Sequence, residues 1–190
     1  ELMLRGLGIG FGKKPHDMVE DEKVEKIYRI ANQSMSTKME ELLATIPEEQ
    51  IDFSNEFIEY ARSVIGKNLN DIILVTLADH LNFLLNRVEQ GMLYRNPMLL
   101  EIKRFYPTEF AVASYGVKKI EDRYGVSLTE DEAGFIALHI VNAELDSNMG
   151  NTMQITELIQ NIVDIVSDFY GNDLNQESDY YDRFITHLKF

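Results

Sequence analysis

The sequence predicts an almost wholly α-helical chain that is preceded by a short β-type segment. From about residue 34 onward, apolar residues recur at the three- and four-residue spacings of amphipathic helices. A glycine or proline follows most of these stretches, as expected at helix ends. With 190 residues, 45% of them hydrophobic, the chain is long enough for one complete domain flanked by pieces of others. We therefore predict a helical bundle with parts of neighbouring domains on either side.

The composition excludes several classes of protein. With 32 acidic and 18 basic residues the net charge is -14, so phosphate backbones repel the chain as a whole, and it is not a globally basic nucleic-acid binder. The absence of cysteine excludes disulfides and thiolate metal sites. No apolar run approaches the roughly 18 to 20 residues that a membrane helix needs. We expect no membrane insertion.

The N-terminal part predicts strands and turns. Residues 1–14 (ELMLRGLGIGFGKK) mix apolar residues with four glycines and lack helical periodicity. After Pro15 the composition becomes acidic, and the segment Glu20 to Ile30 predicts a short helix or a connector. His16, next to Pro15, is most simply a loop residue.

Glycine, proline and capping residues set the predicted helix boundaries. Thr129 and Glu132 have the spacing of a capping box, in which the glutamate side chain reaches back to a free backbone amide. One predicted helix ends at Pro47, and the next ends before Gly66. Four more helices are predicted after them: from about Asn70 to Gln90, from Asn96 through Phe105, from Pro107 to about Tyr124, and from Thr129 to about Leu145. Asp146 to Asn151 predicts a polar turn, and a broad apolar stripe after it predicts a further helix.

Part of the chain is repeated. A helix, a glycine, a leucine and then His-Leu-polar-Phe occur as Gly66, Leu69 and HLNF at 80–83, and again as Gly171, Leu174 and HLKF at 187–190. This similarity predicts a repeated helical unit. Chance similarity of two amphipathic helix pairs is the alternative.

Histidines are the most informative candidates for chemistry. His80 and His139 each interrupt an apolar helix face, and each is more simply a hydrogen-bonded core or interface histidine when taken alone. The recurrence of a histidine in the repeat favours imidazole chemistry, as a metal ligand, a general base or a phosphoryl acceptor. Both helices must pack to bury their apolar faces, so we expect His80 and His139 to lie close together.

Metal binding and enzyme chemistry are weakly indicated. Adjacent helix positions point about 100 degrees apart, so Asp79 and His80 do not easily chelate one ion. The sequence contains no phosphate loop, no G-x-S-x-G turn and no His-Glu-x-x-His helix. We predict no metal, no cofactor and no enzyme activity. A helical metal-dependent hydrolase that uses His80, His139 and acidic neighbours remains an alternative of another class.

Five segments of the chain are informative when taken together: GLGIGFGKK at 6–14, TLADHLNF at 76–83, NPMLLEIKRFYPTEF at 96–110, DEAGFIALHIVNAEL at 131–145 and FITHLKF at 184–190. They resemble the BglG/LicT-type bacterial transcription antiterminators, and the resemblance covers essentially the whole chain. It implies a small β-type RNA-binding domain followed by two regulation domains of the sugar phosphotransferase system (PTS), each a bundle of about five helices.

The resemblance also implies the domain boundaries. Residues 1–14 are expected to be the last part of the RNA-binding domain, whose earlier strands are missing, and 15–33 a linker. Residues 34–146 form the expected first PTS regulation domain (PRD). After a linker at 147–151, residues 152–190 are the truncated start of a second PRD.

Three histidines match the phosphorylated positions of the family. The resemblance implies phosphorylation of His80 and His139 in the first PRD and of His187 in the second, with Asp79 beside the first site. In the family, phosphorylation of the first PRD by the sugar permease (enzyme II) usually inhibits the antiterminator. Phosphorylation of the second PRD by the phosphocarrier HPr often activates it. Candidate cations for a phosphoryl group are Arg87, Arg95, Lys103 and Arg104.

The family binds an RNA antiterminator hairpin through its N-terminal domain. The sequence has Leu7 where many members have an arginine between the two glycines. The implied RNA-binding residues are Arg5, Gly6, Gly8, Phe11, Lys13 and Lys14. We predict a cytoplasmic homodimeric antiterminator for sugar-utilisation genes. A DNA-binding activator with PRDs is the nearest alternative, although the Gly-rich strand segment argues against a helix-turn-helix.

Overall fold

The computed structural model describes residues 2–14, 16–24, 26–29, 45–145, 149–170, 175 and 178–189. The chain divides into two compact units, 1–46 and 47–190. Within the described ranges, no helix is both long enough and apolar enough to cross a membrane. The predicted helical residues 34–44, the turn residues 146–148 and, in the second repeat copy, Gly171, Leu174 and Phe190 lie outside the described residues.

The first unit contains a two-stranded antiparallel sheet. Strand β1 (Leu2–Arg5) pairs with β2 (Lys26–Arg29), with Leu2 opposite Arg29. The sequence predicts a short helix or a connector over 20–30, whereas Lys26–Arg29 of that segment is a strand, because pairing with β1 satisfies its backbone groups. A single 3₁₀ turn, Asp21–Lys23, precedes β2. His16 is exposed in the connecting loop and has a φ of 76°, in agreement with a loop residue.

Seven α-helices form the described part of the second unit. The first five are α1 (Glu48–Ile65), α2 (Ile72–Glu89), α3 (Leu99–Phe105), α4 (Pro107–Tyr124) and α5 (Glu130–Glu144); α6 (Met149–Phe169) and α7 (Asp179–Lys189) follow. The predicted helix ends are confirmed at Gly66 and Gly125, which take the left-handed conformation that glycine adopts without strain. Pro107 starts α4, where its missing amide hydrogen costs nothing.

Helix α5 is the central element of the bundle. It packs against α2, α3, α4 and α6, and most of its residues are buried, including Ile136, Leu138 and Ile140. Burying each such side chain contributes roughly 1.5 to 3 kcal/mol. Residues on α5 are therefore held firmly relative to the helices that surround it.

The last two helices pack on the end of the five-helix bundle. Ile159 and Val163 of α6 and Tyr181 and Ile185 of α7 form one apolar cluster with residues from α3 and α5. The predicted apolar stripe of α6 is only partly buried, because Leu158 and others face outward. The cluster joins the start of the predicted second PRD to the first.

The start of α5 differs from the predicted capping box. The helix begins at Glu130, directly after Thr129 as predicted, but Thr129 makes no capping bond through its side chain. Its hydroxyl donates to Asp131 Oδ2 at 3.1 Å. The Glu132 carboxylate does not turn back to the amide either; it is buried against Arg87.

Candidate functional site

Helices α2 and α5 place His80 and His139 side by side. The centroids of the two rings are 5.0 Å apart, and the ring planes meet at 54°. The Phe135 ring lies 6.2 Å from that of His80. Ile73 and Leu77 hold the same face of α2 against the bundle. The structure thus brings together the two histidines that the sequence predicts to be close.

Both imidazoles are held in the neutral form. Burial, with smaller electrostatic contributions from His139 and Arg87, lowers the pKa of His80 to about 3. Burial also lowers the pKa of His139, to about 4. At neutral pH each ring therefore keeps a nitrogen lone pair. A neutral imidazole is the form that attacks an electrophile.

A buried ion pair lies next to the histidines. Arg87 Nη2 donates to Glu132 Oε1, and the two side chains are 3% and 0% exposed. The second oxygen of this carboxylate, Oε2, is 3.7 Å from His80 Nε2. Burial raises the pKa of Glu132, while the charge of Arg87 acts in the opposite direction. One carboxylate therefore faces both a permanent cation and an imidazole.

Two aromatic rings cover the guanidinium group. The Arg87 Cζ atom is 4.6 Å from the centroid of the Tyr94 ring and 5.7 Å from that of Phe83. A cation over an aromatic face is attracted by the ring quadrupole. The rings therefore stabilise the arginine in place while shielding it from water.

The hydrogen-bonding capacity of the site is not fully used. Among the described residues, His80 Nε2, Glu132 Oε2 and Arg87 Nε are buried without a hydrogen-bond partner. Each unsatisfied buried group costs about 1 to 3 kcal/mol. A buried polar group without a hydrogen-bond partner is uncommon in native structures, and a functional role is one explanation for it. Here they surround the two histidines.

The other predicted phosphorylation-site residues lie in different surroundings. Asp79 is exposed on α2, and His187 is exposed near the end of α7. Of the other candidate cations, Lys103 binds Glu130 at 2.6 Å and Arg104 lies over the Tyr181 ring. Across the described ranges, no three His, Asp or Glu side chains group as metal ligands.

The predicted RNA-binding strip lies in the first unit. Gly6 follows β1, and Gly8 has a φ of 66° in the turn. Phe11 is 92% exposed. Lys14 is also exposed, whereas Lys13 donates to the Met18 carbonyl at 2.8 Å and lies 3.7 Å from Glu20. Arg5 is the last residue of β1.

Comparison with known proteins identifies two families in the chain. Residues 1–37 match the CAT RNA binding domain, and residues 55–143 match the PRD domain. The second match includes His80, His139 and both members of the buried ion pair. The CAT match reaches beyond residue 14, and the domain boundaries given above remain predictions.

Similar proteins are known over the whole length of the chain. It is 45% identical over 190 residues to the transcription antiterminator LicT of Bacillus subtilis strain 168, and the match covers all of this chain and 69% of that protein. It is 40% identical over 190 residues to a beta-glucoside operon antiterminator of Dickeya chrysanthemi, covering all of this chain and 67% of the relative.

A solved structure has the same fold. The crystal structure of GlcT CAT-PRDI superposes with a TM-score of 0.62 at 36% identity, covering 75% of this chain and 85% of that one. The fold of this chain is thus found again in a solved structure of a CAT-PRDI protein. The chain belongs to the BglG/LicT-type transcription antiterminators, regulators of sugar-operon genes that combine a CAT RNA-binding domain with PRD domains.

Proposed function

We propose that His80 and His139 are the acceptors through which the sugar phosphotransferase system controls this antiterminator. The observation that carries the proposal is their arrangement: two neutral imidazoles with centroids 5.0 Å apart, on facing helices. A buried carboxylate and guanidinium lie beside them. In this role the domain is a phosphoryl acceptor and a regulator rather than an enzyme.

The transfer needs only a phosphorylated donor. The lone pair of an imidazole nitrogen attacks the donor's phosphorus and forms a nitrogen–phosphorus bond. The bond from phosphorus to the donor side chain breaks, and its electron pair leaves with the donor. We propose enzyme II as the donor to the first PRD and HPr as the donor to His187. The proton on the second imidazole nitrogen can leave to solvent.

Phosphorylation changes the packing around α2 and α5. The group adds close to two negative charges and three acceptor oxygens to a buried site that already holds the carboxylate of Glu132. Burying such a charge without a cation costs several kcal/mol. We propose that the protein is a homodimer, and that the altered packing changes how its subunits associate and hence whether the CAT domain binds its RNA hairpin.

Phosphotransfer from labelled phosphoenolpyruvate tests this function. The chain is incubated with the general PTS carriers, with and without enzyme II, and mass spectrometry locates the label. We expect label on His80 or His139, and its loss from the substituted position in H80A and H139A. The exposed loop histidine provides the control variant H16A, which should be labelled as the wild type is. Label absent from both histidines would exclude the proposal.

The proposed homodimer is tested by sedimentation. H80D and H139D each add a negative charge at the site, so they should shift the monomer–dimer balance in analytical ultracentrifugation. Identical sedimentation of the wild type and both variants over a wide concentration range would exclude the packing switch, whether or not the histidines are phosphorylated.

A further inference from the structure

Arg87 is a buried cation in the histidine site. Its partner, Glu132, lies next to the position that a phosphoryl group on His80 would take. We propose that Arg87 is the phosphoryl-binding residue of this site, and that it exchanges Glu132 for the phosphoryl group when His80 or His139 is modified. The inference rests on the proposed function and adds to it the residue that receives the charge.

The geometry makes Glu132 and a phosphoryl group competitors for one cation. Glu132 Oε2 is 3.7 Å from His80 Nε2, and Oε1 binds Arg87. A phosphoryl group on the His80 ring would bring two negative charges next to a fully buried carboxylate. Like charges at this separation in a poorly solvated site cannot both persist without a cation between them. Arg87 is the buried cation that already contacts one of the two.

The chemistry of arginine favours the exchange. A guanidinium presents five donors in a planar fork that matches phosphate oxygens in pairs. Only Nη2 of Arg87 is bonded to Glu132, and Nε has no partner among the described residues. The Tyr94 and Phe83 rings hold the guanidinium carbon at 4.6 and 5.7 Å, so the cation is oriented before a phosphoryl group arrives.

The exchange connects the histidines to an exposed apolar loop. Glu132 is in the first turn of α5, next to Asp131, whose Oδ1 accepts a hydrogen bond from the Asn96 backbone amide at 2.8 Å. Residues 92–94 of the same loop, which include the ring over Arg87, are 40 to 55% exposed. Arg87 precedes this loop in α2, and Asn96 lies near the other end of the loop. A change of partner at Arg87 and Glu132 therefore acts on both ends.

Opposite effects of two substitutions test the exchange. R87Q removes the proposed phosphoryl ligand and should lower the labelled fraction of the site about tenfold at fixed donor. E132Q removes the competing charge and should raise the labelled fraction. R87K keeps the charge but not the fork and should fall between the wild type and R87Q. If the ion pair were only structural, R87Q and E132Q would both lower labelling, and that result would overturn the proposal.

A double-mutant cycle provides a readout that does not depend on phosphotransfer. H80D places a carboxylate beside Glu132, and Arg87 should then prefer the new anion. E132Q should destabilise the otherwise wild-type chain in urea but stabilise the H80D chain. Additive effects in the cycle would overturn the exchange. If the wild type is not labelled, the proposed function fails, and this cycle alone decides the role of Arg87.

The variants need a control of similar chemistry. R123Q breaks a surface pair with Glu56, at 2.7 Å, and should leave the labelled fraction unchanged. Circular dichroism shows whether each variant is folded. Should R87Q fail to fold, the labelled fraction is still expected to fall in R87K and to rise in E132Q. A decrease of the labelled fraction in both variants would contradict the proposal.

Discussion

His80 and His187 occupy the same position in the repeated His-Leu-polar-Phe motif, but their surroundings differ. His80 is 14% exposed and lies against His139 and Glu132 of α5. His187 is exposed on α7, whose opposite face packs on α6 and the bundle end through Tyr181 and Ile185. The motif is shared, whereas the covering helix is found only over the first copy in the described part of the chain.

This difference shows what the motif does and what it leaves to the fold. The motif supplies a helix with a histidine at a fixed place on one face. The burial, the second imidazole and the buried carboxylate all come from α5, about 50 residues further along the chain. A histidine of this motif is therefore enclosed only where a helix such as α5 covers it.

The largest expected difference between the surroundings of His80 and His187 is in the unfolding free energy lost when a side chain is removed from each. E132A leaves the Arg87 guanidinium buried without its partner, and breaking one side of a buried pair costs about 3 to 5 kcal/mol of unfolding free energy. H187A should change that free energy by less than about 0.5 kcal/mol because the ring is exposed. Urea denaturation followed by circular dichroism measures both.

A nearby surface carboxylate provides the control for E132A. Glu130 binds Lys103 at 2.6 Å, but both side chains are substantially exposed. E130A should therefore cost at most about 1 kcal/mol. Equal costs for E130A and E132A would mean that burial does not set the strength of the inner pair.

Acid should destabilise the bundle through the enclosed histidines. The pKa values of His80 and His139 fall from the ordinary 6.5 to about 3 and about 4, so below pH 6.5 these two side chains bind more protons in the unfolded chain than in the folded one. Their contribution to stability is therefore fully present above pH 6.5 and is lost as the pH falls through about 4, by several kcal/mol in total. The slope of unfolding free energy against pH is proportional to the number of protons taken up on unfolding, and we expect H139Q to lower that number by about one.

The corresponding double variant tests the origin of the slope. In H80Q/H139Q neither side chain titrates, so most of the decline between pH 6.5 and 4 should disappear. A wild-type slope in the double variant would show that other groups cause the acid sensitivity. Unfolding in urea at a series of pH values gives the measurement.

Much of the fold is determined by local signals in the sequence. Gly66, Gly125 and Pro107 act on the backbone where they stand, and the helix ends that they predict are confirmed. The strand Lys26–Arg29 is not predicted, because its backbone partner is more than 20 residues away in the chain. Two apolar positions in a short acidic segment do not distinguish a helix from such a strand.

The site is only half visible in the sequence. The histidines stand out because each interrupts an apolar helix face. Glu132 is missed because a glutamate three residues after Thr129 is also the signal for a capping box. Its actual partner, Arg87, is 45 positions away, and only the packing of α2 on α5 brings the two together. A carboxylate on a mostly apolar helix is the signal that could have indicated a buried pair.

Chemical labelling should separate the two histidine environments by rate. Diethylpyrocarbonate acylates accessible imidazoles, so the exposed His187 on α7 should react several-fold faster than His80. Peptide mapping by mass spectrometry, at short reaction times in native buffer, gives the rates for each histidine. His16, exposed in its loop, is an internal reference. Equal rates at His80 and His187 would show that α5 does not shield the site in solution.

The smallest predicted effect concerns the aromatic cover that lies over Arg87. The guanidinium carbon is 4.6 Å from the Tyr94 ring, and a cation over an aromatic face is stabilised by about 0.5 to 2 kcal/mol. Y94L removes the ring face and should lower the unfolding free energy by about 1 kcal/mol, whereas Y94F keeps the face and should cost less than half of that. The comparison is sharpest in a cycle with R87M, because without the cation Y94L and Y94F should become equivalent. If Y94L and Y94F differ as much in R87M as in the wild type, the Tyr94 ring acts through packing and not through the cation.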